Sequence, residues 1–263
     1  MSMPTNKKNA IILTLFGSVK EQEKFQTFKK VIEKEFQECD VYIAVSSKFI
    51  LKALKKRGFE YKNLAQNLAD ADQAGYENII VASITLFPTF EHEQSKKIVQ
   101  SFKSFSSSNI VSTDAIFSKT KESTLFLKEL NERVSKKDVA NLYVLHGTPR
   151  LETAGIASVN YVTQYLEKKG NYTCSIEGAF AFLETKEDLI DEMKRDGVKE
   201  VQIIPMLLVS GNHYEKDIVE MNEELNEHFK SKIVKSLLES ERFNLLELEA
   251  TQNIVIQNIE NCR

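Results

Sequence analysis

The sequence contains only three cysteines, Cys39, Cys174 and Cys262, which lie far apart and form no CxxC pair. Structural zinc sites and disulfide frameworks need closely spaced or paired cysteines, so we predict neither. Cysteines outside such sites ordinarily behave as small apolar residues. We expect that role here, with Cys262 exposed near the terminus.

Long apolar runs and an excess of one charge are also missing. No apolar stretch approaches the roughly 20 residues of a membrane-spanning helix. The first apolar run ends at Phe16-Gly17-Ser18 without a small-residue cleavage site. The net charge is −3, with acids and bases interspersed, so we expect no basic surface for nucleic acid or membrane. The sequence therefore predicts a cytoplasmic protein.

Three common site motifs are absent as well. No G-x-G-x-x-G, no G-x-x-x-x-G-K-[ST] and no G-x-S-x-G occurs in the sequence. These motifs form dinucleotide sites, phosphate-binding loops and nucleophile elbows, respectively. We therefore expect no nucleotide cofactor.

What the 263-residue chain does contain is an alternation of apolar runs and amphipathic segments. With 42% hydrophobic residues it can bury a substantial core. Continuous apolar strands between helices are typical of parallel sheets covered on both faces. Strands are predicted at 10–16, 40–45, 78–87, 141–147, 172–178 and 200–209.

The two halves of the chain resemble each other. An offset of 122 residues aligns the segments that contain Glu91 and His213, and "LTLFGS" aligns with "YVLHGT", which pairs Phe16 with His146. Such self-similarity indicates two copies of one structural unit.

We therefore predict an α/β fold of two similar lobes, each a parallel sheet flanked by helices. The first lobe is predicted at 1–120, and the second at 121–263 with a helical tail from Tyr214 onwards. The serine-rich segment 104–123 is predicted to connect them. A cleft between such lobes is a common ligand site.

All three predicted strands of the second half lead to a potential metal ligand. His146 lies at the carboxyl end of the first strand, Glu177 lies at the carboxyl end of the second, and His213 follows the third after a short turn. Parallel strands present their carboxyl ends at one edge of the sheet, where ligands bind. Two imidazoles and a carboxylate suit a divalent transition metal. Neighbouring glycines let the backbone turn sharply; they are Gly147, Gly178 and Gly211.

Taken singly, these residues have simpler interpretations. A histidine at a strand end is often structural, and Glu177 could cap a turn. The remaining histidines, His92 and His228, lie on predicted helices; His228 is expected to be exposed, and His92 is either a solvated first-turn residue or functional. Glu91 favours a helix N-terminus electrostatically. The joint placement of the trio, in a chain with four histidines, favours a site.

With these residues identified, the chain resembles a known family. The segments "YVLHGT", "SIEGAF" and "LLVSGNHYEKD" are similar, in order and spacing, to the cobalt-inserting class II chelatases of the anaerobic cobalamin pathway, which act on sirohydrochlorin. The segments "LTLFGS" and "LADADQAGYENIIVASITLFPTFEHE" resemble the first lobe of that family.

The resemblance implies a site and a reaction. His146, Glu177 and His213 would bind the metal, a divalent ion that is itself a substrate and is expected to be cobalt. His146 would also accept a pyrrole proton, and Glu91 would be the acidic residue of the first lobe.

The substrate would be a tetrapyrrole, and its binding is predicted near the first strand. Phe16, Gly17 and Ser18 are predicted to contact the macrocycle, and Arg150 to pair with its carboxylates.

Two positions differ from the family pattern beside His213. Asn212 stands where the family has an aspartate, and Tyr214 where it has a small residue; Asp217 fits the pattern. Because a carboxylate beside a ligating histidine fixes its tautomer, the change at Asn212 is predicted to alter how His213 is oriented.

Other functions fit the same features. The alternatives are a haem- or tetrapyrrole-binding protein without turnover, a chelatase for iron or nickel, and a two-lobed binding protein for small anions. The helix-rich tail could also pack against a second copy of the chain, giving a homo-oligomer.

Overall fold

The structure is a computed structural model that describes residues 7–236 and 242–263. It divides into two compact units. The first unit comprises the chain up to Ser118 together with Glu249–Arg263, and the second comprises Lys119–Leu248. No helix among the described residues is long and apolar enough to cross a membrane.

The first unit contains a four-stranded sheet in which β1 pairs with β2 and β3, and β3 pairs with β4, all parallel. The strands are β1 Asn9–Leu15, β2 Cys39–Val45, β3 Asn78–Ser83 and β4 Asn109–Ser112. The helices that follow them are α1 Gln22–Glu35, α2 Lys48–Lys56, α3 Leu64–Ala74 and α4 Phe90–Lys103.

The second unit repeats this arrangement, with a parallel sheet in the order β6-β5-β7-β8. The strands are β5 Val139–Thr148, β6 Tyr172–Gly178, β7 Glu200–Pro205 and β8 Lys230–Ile233. The helices are α5 Thr120–Val134, α6 Ile156–Glu167, α7 Phe182–Arg195 and α8 Val219–Leu225, the last preceded by a π-helical turn at Tyr214–Ile218.

Burial of the apolar runs explains why these segments become strands. In β1 and β3 every residue after the first is buried, as expected for a parallel sheet covered on both faces. Helix α3 begins with a capping box formed by Asn63 and Gln66 and ends at Gly75 in the left-handed conformation. Gly75 is thus the C-cap that the sequence predicts.

The internal repeat is visible in the strand bounds. Strands β3 and β7 are both six residues long and are related by the 122-residue offset found in the sequence. The predicted α/β fold of two similar units with parallel sheets is confirmed.

Two strands lie where none was expected. Strand β4 is in the segment 104–123 that the sequence predicts as a connection, and β8 is in the region after Tyr214 that it predicts as helical. Both are four-residue edge strands, too short to show an alternating or apolar pattern. Residues 237–241 of the predicted helical tail lie outside the described residues.

The third strand of each unit is shorter than predicted. Strand β7 ends at Pro205, and Leu207 and Leu208 beyond it accept backbone hydrogen bonds from Leu245 and Leu246. Met206 and Leu207 are buried although they lie beyond the strand, so the apolar run continues past the end of the sheet. Strand β3 likewise ends at Ser83 and not at residue 87.

The C-terminal helix α9, Glu249–Glu260, belongs to the first unit and not to the second, where the sequence prediction puts it. It contacts α1 and β3, and its residues Val255 and Ile259 are buried. An amphipathic helix packs wherever an uncovered apolar face remains, which is information the linear sequence does not contain.

Candidate metal and proton-transfer site

The carboxyl ends of β5 and β6 lie unusually close together because two glycines face each other's strands. A Cβ atom on Gly147 would lie 1.9 Å from the carbonyl oxygen of Glu177, and one on Gly178 would lie 1.9 Å from that of Thr148. Both glycines have positive φ, which L-residues adopt only with strain. This close approach brings the side chains of His146 and Glu177 to one place.

The third residue of the predicted trio, His213, lies in the segment that follows β7. It stands directly before the π-helical turn Tyr214–Ile218, an uncommon structure that often occurs at functional sites. The loop is fixed by Ser210, a buried residue whose hydroxyl donates to the carbonyl oxygen of Phe243 over 2.6 Å. Gly211 does not have positive φ, so its conformation is not one that requires glycine.

The two imidazoles face each other. The Nε2 atoms of His146 and His213 are 3.3 Å apart, and the rings meet edge to face with centroids 4.7 Å apart. Two nitrogens that each lie about 2.05 Å from one tetrahedral ion are about 3.4 Å apart. The pair is therefore spaced as two ligands of a single metal ion.

A carboxylate lies at the other ring nitrogen of each histidine. Asp217 Oδ2 is 2.7 Å from Nδ1 of His213, and Glu177 Oε1 is 3.5 Å from Nδ1 of His146. The hydrogen bond to Asp217 keeps the proton of His213 on Nδ1 and leaves its Nε2 lone pair free. Nδ1 of His146 also lies 3.3 Å from the carbonyl oxygen of Gly147, an acceptor that favours the same tautomer. The four side chains are between 40% and 50% exposed, so the site is open to solvent and to ligands.

Glu177 thus approaches His146 from the side away from His213. In residues 7–236 and 242–263, no group of three or more His, Cys, Asp or Glu side chains is arranged to hold a metal ion as it stands. The structure brings together all three predicted residues, but only the two imidazoles present donor atoms toward one point.

Asp217 is the residue of this site to which the sequence assigned no role. The sequence feature that could have identified Asp217 is its spacing of four residues from His213, which puts both side chains on one face of a helical turn. Asn212, where the family has an aspartate, is exposed. The orienting carboxylate of His213 therefore comes from one turn later in the chain.

In the first unit, the predicted substrate-contact residues lie between β1 and α1. The side chain of Phe16 is 54% exposed, whereas Ser18 is buried and accepts hydrogen bonds from the backbone N–H groups of Lys20 and Glu21. A Cβ atom on Gly17 would lie 2.6 Å from a methyl group of Val45, so this loop requires glycine.

Of the other acidic and histidine candidates, Glu91 is half-buried in the first turn of α4. Its neighbour His92 is buried, contrary to the interpretation as a solvated residue. The ring Nδ1 lies 2.8 Å from Ser83 Oγ, so this buried nitrogen has a hydrogen-bond partner. Burial lowers the pKa of His92 below its usual value of 6.5, and Lys96 acts in the same direction. His228 is exposed, as predicted.

The cysteines supply no site. Cys39 and Cys174 are buried, as predicted, whereas Cys262 is partly exposed with Sγ 3.8 Å from the carbonyl oxygen of Ser112. Burial raises the pKa of Cys39 to about 11 and that of Cys174 further. Because thiolate is the form that binds metals, these two thiols are poor ligands.

Comparison with known proteins identifies the family of the chain. The family described as Cobalt chelatase (CbiK) matches residues 9–263. No curated protein sequence is significantly similar to the chain.

Two solved structures share the fold. They are SirB from Bacillus subtilis with Fe³⁺, with 15% identity and a TM-score of 0.69, and the sirohydrochlorin chelatase SirB from Bacillus subtilis subspecies spizizenii with cobalt, with 14% identity and a TM-score of 0.61. Each alignment covers 97% of this chain, and 95% and 94% of the respective SirB chains. At these identities the likeness demonstrates the fold.

The family match runs from the first residue of β1 to the last residue of the chain and includes every residue of the site described above. The chain therefore belongs to the cobalt chelatase family and is a metal chelatase.

Proposed function

We propose that this chelatase inserts cobalt into sirohydrochlorin, with His146 and His213 receiving the metal and His146 accepting a pyrrole proton. Sirohydrochlorin is named as the substrate of one of the SirB proteins that share the fold. The metal is a substrate of this reaction, so the site must release it.

The main support for this proposal is the 3.3 Å separation of the Nε2 atoms of His146 and His213. With an acceptor at each Nδ1, the carbonyl oxygen of Gly147 for His146 and the Asp217 carboxylate for His213, the favoured tautomers direct both Nε2 lone pairs at each other. Two lone pairs at this distance repel unless a cation lies between them. The pair is therefore suited to hold either a metal ion or a proton.

Exchange between these two cations matches the chemistry of insertion. A divalent metal replaces two N–H protons of the macrocycle, so two protons must leave as the metal enters. When the metal leaves His146 for the ring, the Nε2 atom is free to accept one of those protons. Imidazole suits this role because it ordinarily exchanges protons near neutral pH.

Glu177 is the third proposed ligand. Its carboxylate lies on the Nδ1 side of His146, but half of its side chain is exposed, and exposed side chains change rotamer readily. Rotation toward the histidine pair would add an oxygen ligand to the two nitrogens. Three such ligands leave coordination positions open for a pyrrole nitrogen.

The first unit contributes the remaining proposed residues. Phe16 offers an exposed ring for the macrocycle, and Gly17 and Ser18, which we also assign to substrate binding, form the loop that presents this ring. Glu91 occupies the position equivalent to His213 in the repeat, and we assign it the relay of the second proton. The cytoplasmic location, the absence of a nucleotide and of a nucleic-acid partner, and the homo-oligomer stay predictions.

The test is cobalt insertion into sirohydrochlorin under anaerobic conditions, followed by the change in absorbance. We expect His146→Ala and His213→Ala to lose most activity, whereas His228→Ala, at an exposed histidine of the same unit, stays at the wild-type rate. Iron and nickel in place of cobalt measure the metal preference. Wild-type rates in both site variants would contradict the proposal.

A further inference from the structure

Phe180 has a backbone conformation that aromatic residues rarely adopt. Its φ is +60°, and within the described part of the chain the only other non-glycine residue with positive φ is Asp138. Aspartate is common in the left-handed region, whereas a bulky residue there is a genuine outlier. Glycine or asparagine would fit this position at lower cost.

The loop around Phe180 is held tightly in place. The backbone N–H of Ser175 donates to the carbonyl oxygen of Phe180 over 3.0 Å, and its hydroxyl lies 2.8 Å and 3.0 Å from the carbonyl oxygens of Ala179 and Glu177. Ala181 donates its N–H to the carbonyl oxygen of Gly178 over 3.1 Å. The left-handed conformation is therefore imposed by the loop and is not an effect of mobility.

The side chain of Phe180 contributes little to packing. It is 74% exposed, whereas Phe182, two residues later, is buried in the core of the second unit. Phe180 therefore stabilises the fold neither through its backbone conformation, which is strained, nor through burial of its ring. Retained strain of this kind clusters at ligand sites.

Position connects the ring to the metal site. Phe180 lies three residues after Glu177, in the loop that follows the pairing of Gly178 with Thr148 at the end of β5. Leu151 and Leu183 start from the same edge of the sheet and are 71% and 73% exposed. Exposed apolar side chains therefore follow the carboxyl ends of β5 and β6, the strands that carry His146 and Glu177.

We infer that Phe180 is a substrate-contact residue whose ring stacks on the face of the tetrapyrrole macrocycle. This inference rests on the proposed function, because it takes the macrocycle as the ligand. A flat conjugated ring system prefers offset stacking on an aromatic side chain. The tightly bonded loop then holds Phe180 and Glu177 in a fixed relation, which positions the macrocycle against His146.

The test uses the full chain and metal-free sirohydrochlorin as the probe. Phe180→Gly removes the ring and relieves the backbone strain, so we expect about ten-fold weaker sirohydrochlorin binding together with an equal or higher Tm. Phe180→Tyr keeps a ring and is expected to bind within two-fold of wild type. Phe105→Ala, at a similarly exposed phenylalanine of the first unit, is expected to change nothing in binding.

Binding is followed by the fluorescence and absorbance of the probe, so it does not depend on metal insertion. Wild-type affinity in Phe180→Gly overturns the inference, whereas failure of the wild-type protein to bind sirohydrochlorin overturns the proposed substrate. Sedimentation of both proteins is measured in parallel. A change of oligomeric state in Phe180→Gly without a change in affinity would assign the ring to contact with a second copy of the chain, and would also overturn the inference.

Discussion

The two units of this chelatase have one topology and different chemistry at the carboxyl ends of their strands. At the carboxyl end of the central strand, the first unit has Phe16 and the second has His146; beyond the neighbouring strand, the first has Glu91 and the second has His213. In the second unit these positions form an imidazole pair. In the first unit they give an exposed aromatic ring and a half-buried carboxylate.

The glycines at the carboxyl ends of the central strands show which features both units need. Gly17 and Gly147 both have positive φ, and a Cβ atom on either would clash with a neighbouring strand or loop. A glycine at the carboxyl end of the central strand is therefore a requirement of the fold. The fold does not require a particular residue before each glycine, and these positions, Phe16 and His146, are where the two units differ in chemistry.

The largest expected effect comes from making the second unit resemble the first at this position. In His146→Phe we expect the insertion rate to fall by about 10²–10⁴-fold, because a positioned acid–base group is lost together with one metal ligand. The measurement is anaerobic cobalt insertion followed by absorbance, with His228→Phe as the control. A rate within ten-fold of wild type would show that catalysis does not depend on the histidine that distinguishes the second unit from the first at this position.

A smaller effect is expected at the carboxylate behind His213. Asp217→Asn should weaken cobalt binding by about 10- to 100-fold, the range seen when a residue that orients a metal-ligating histidine is removed. Titration calorimetry with cobalt alone measures this, and nitrogen NMR of the His213 ring reports the tautomer. The control is Glu220→Gln, an exposed acid in α8. Unchanged affinity and tautomer in Asp217→Asn would exclude an orienting role.

In the first unit, Glu91→Gln tests whether the position equivalent to His213 also takes part. We expect the rate to fall by about ten-fold, below the range of a directly acting acid or base, because the proposed role is a proton relay. Cobalt affinity should not change. Glu93→Gln, on the same helical turn, is the control, and equal rates for the two variants would limit the chemistry to the second unit.

The smallest effect on activity is expected at His92, whose role we predict to be structural. His92→Leu should lower the free energy of unfolding by about 1–2 kcal/mol through loss of the bond to Ser83, with activity within two-fold of wild type. Denaturant unfolding measures the first quantity. A large loss of activity at unchanged stability would contradict this assignment.

The same histidine predicts a pH dependence with a definite sign. Burial lowers the pKa of His92 in the folded chain, so the unfolded chain, with its pKa near 6.5, takes up the proton first as the pH falls. Stability from this group is complete above that value and is lost below it. Wild-type protein should therefore lose more stability than His92→Leu between pH 7.5 and pH 5.5. An equal loss in both proteins would contradict the assignment.

Much of the fold could be predicted from the sequence, because the central strands are long and apolar. Strands β1, β2 and β6 lie within one residue of their predicted bounds. The edge strands β4 and β8 were missed because four residues of mixed polarity carry no periodic signal. Only their backbone hydrogen bonds to β3 and β7 make them strands.

The candidate site was predicted in part. A histidine or carboxylate at each of three strand ends is visible in the sequence, since parallel strands end at one edge of the sheet. The direction of each ring nitrogen is not, because it depends on side-chain rotamers and on partners such as Asp217. The left-handed conformation of Phe180 was also beyond prediction, since aromatic residues do not favour it.

The sequence by itself determined the parallel α/β architecture, the internal repeat and the residue types at the strand ends, because periodicity and order along the chain carry that information. The tertiary structure decided that the C-terminal helix joins the first unit and that the two Nε2 atoms face each other at 3.3 Å, with a carboxylate behind each ring. These features depend on the close approach of backbones at Gly147 and Gly178 and on packing between segments distant in sequence. Contacts of this kind exist only once the chain has folded.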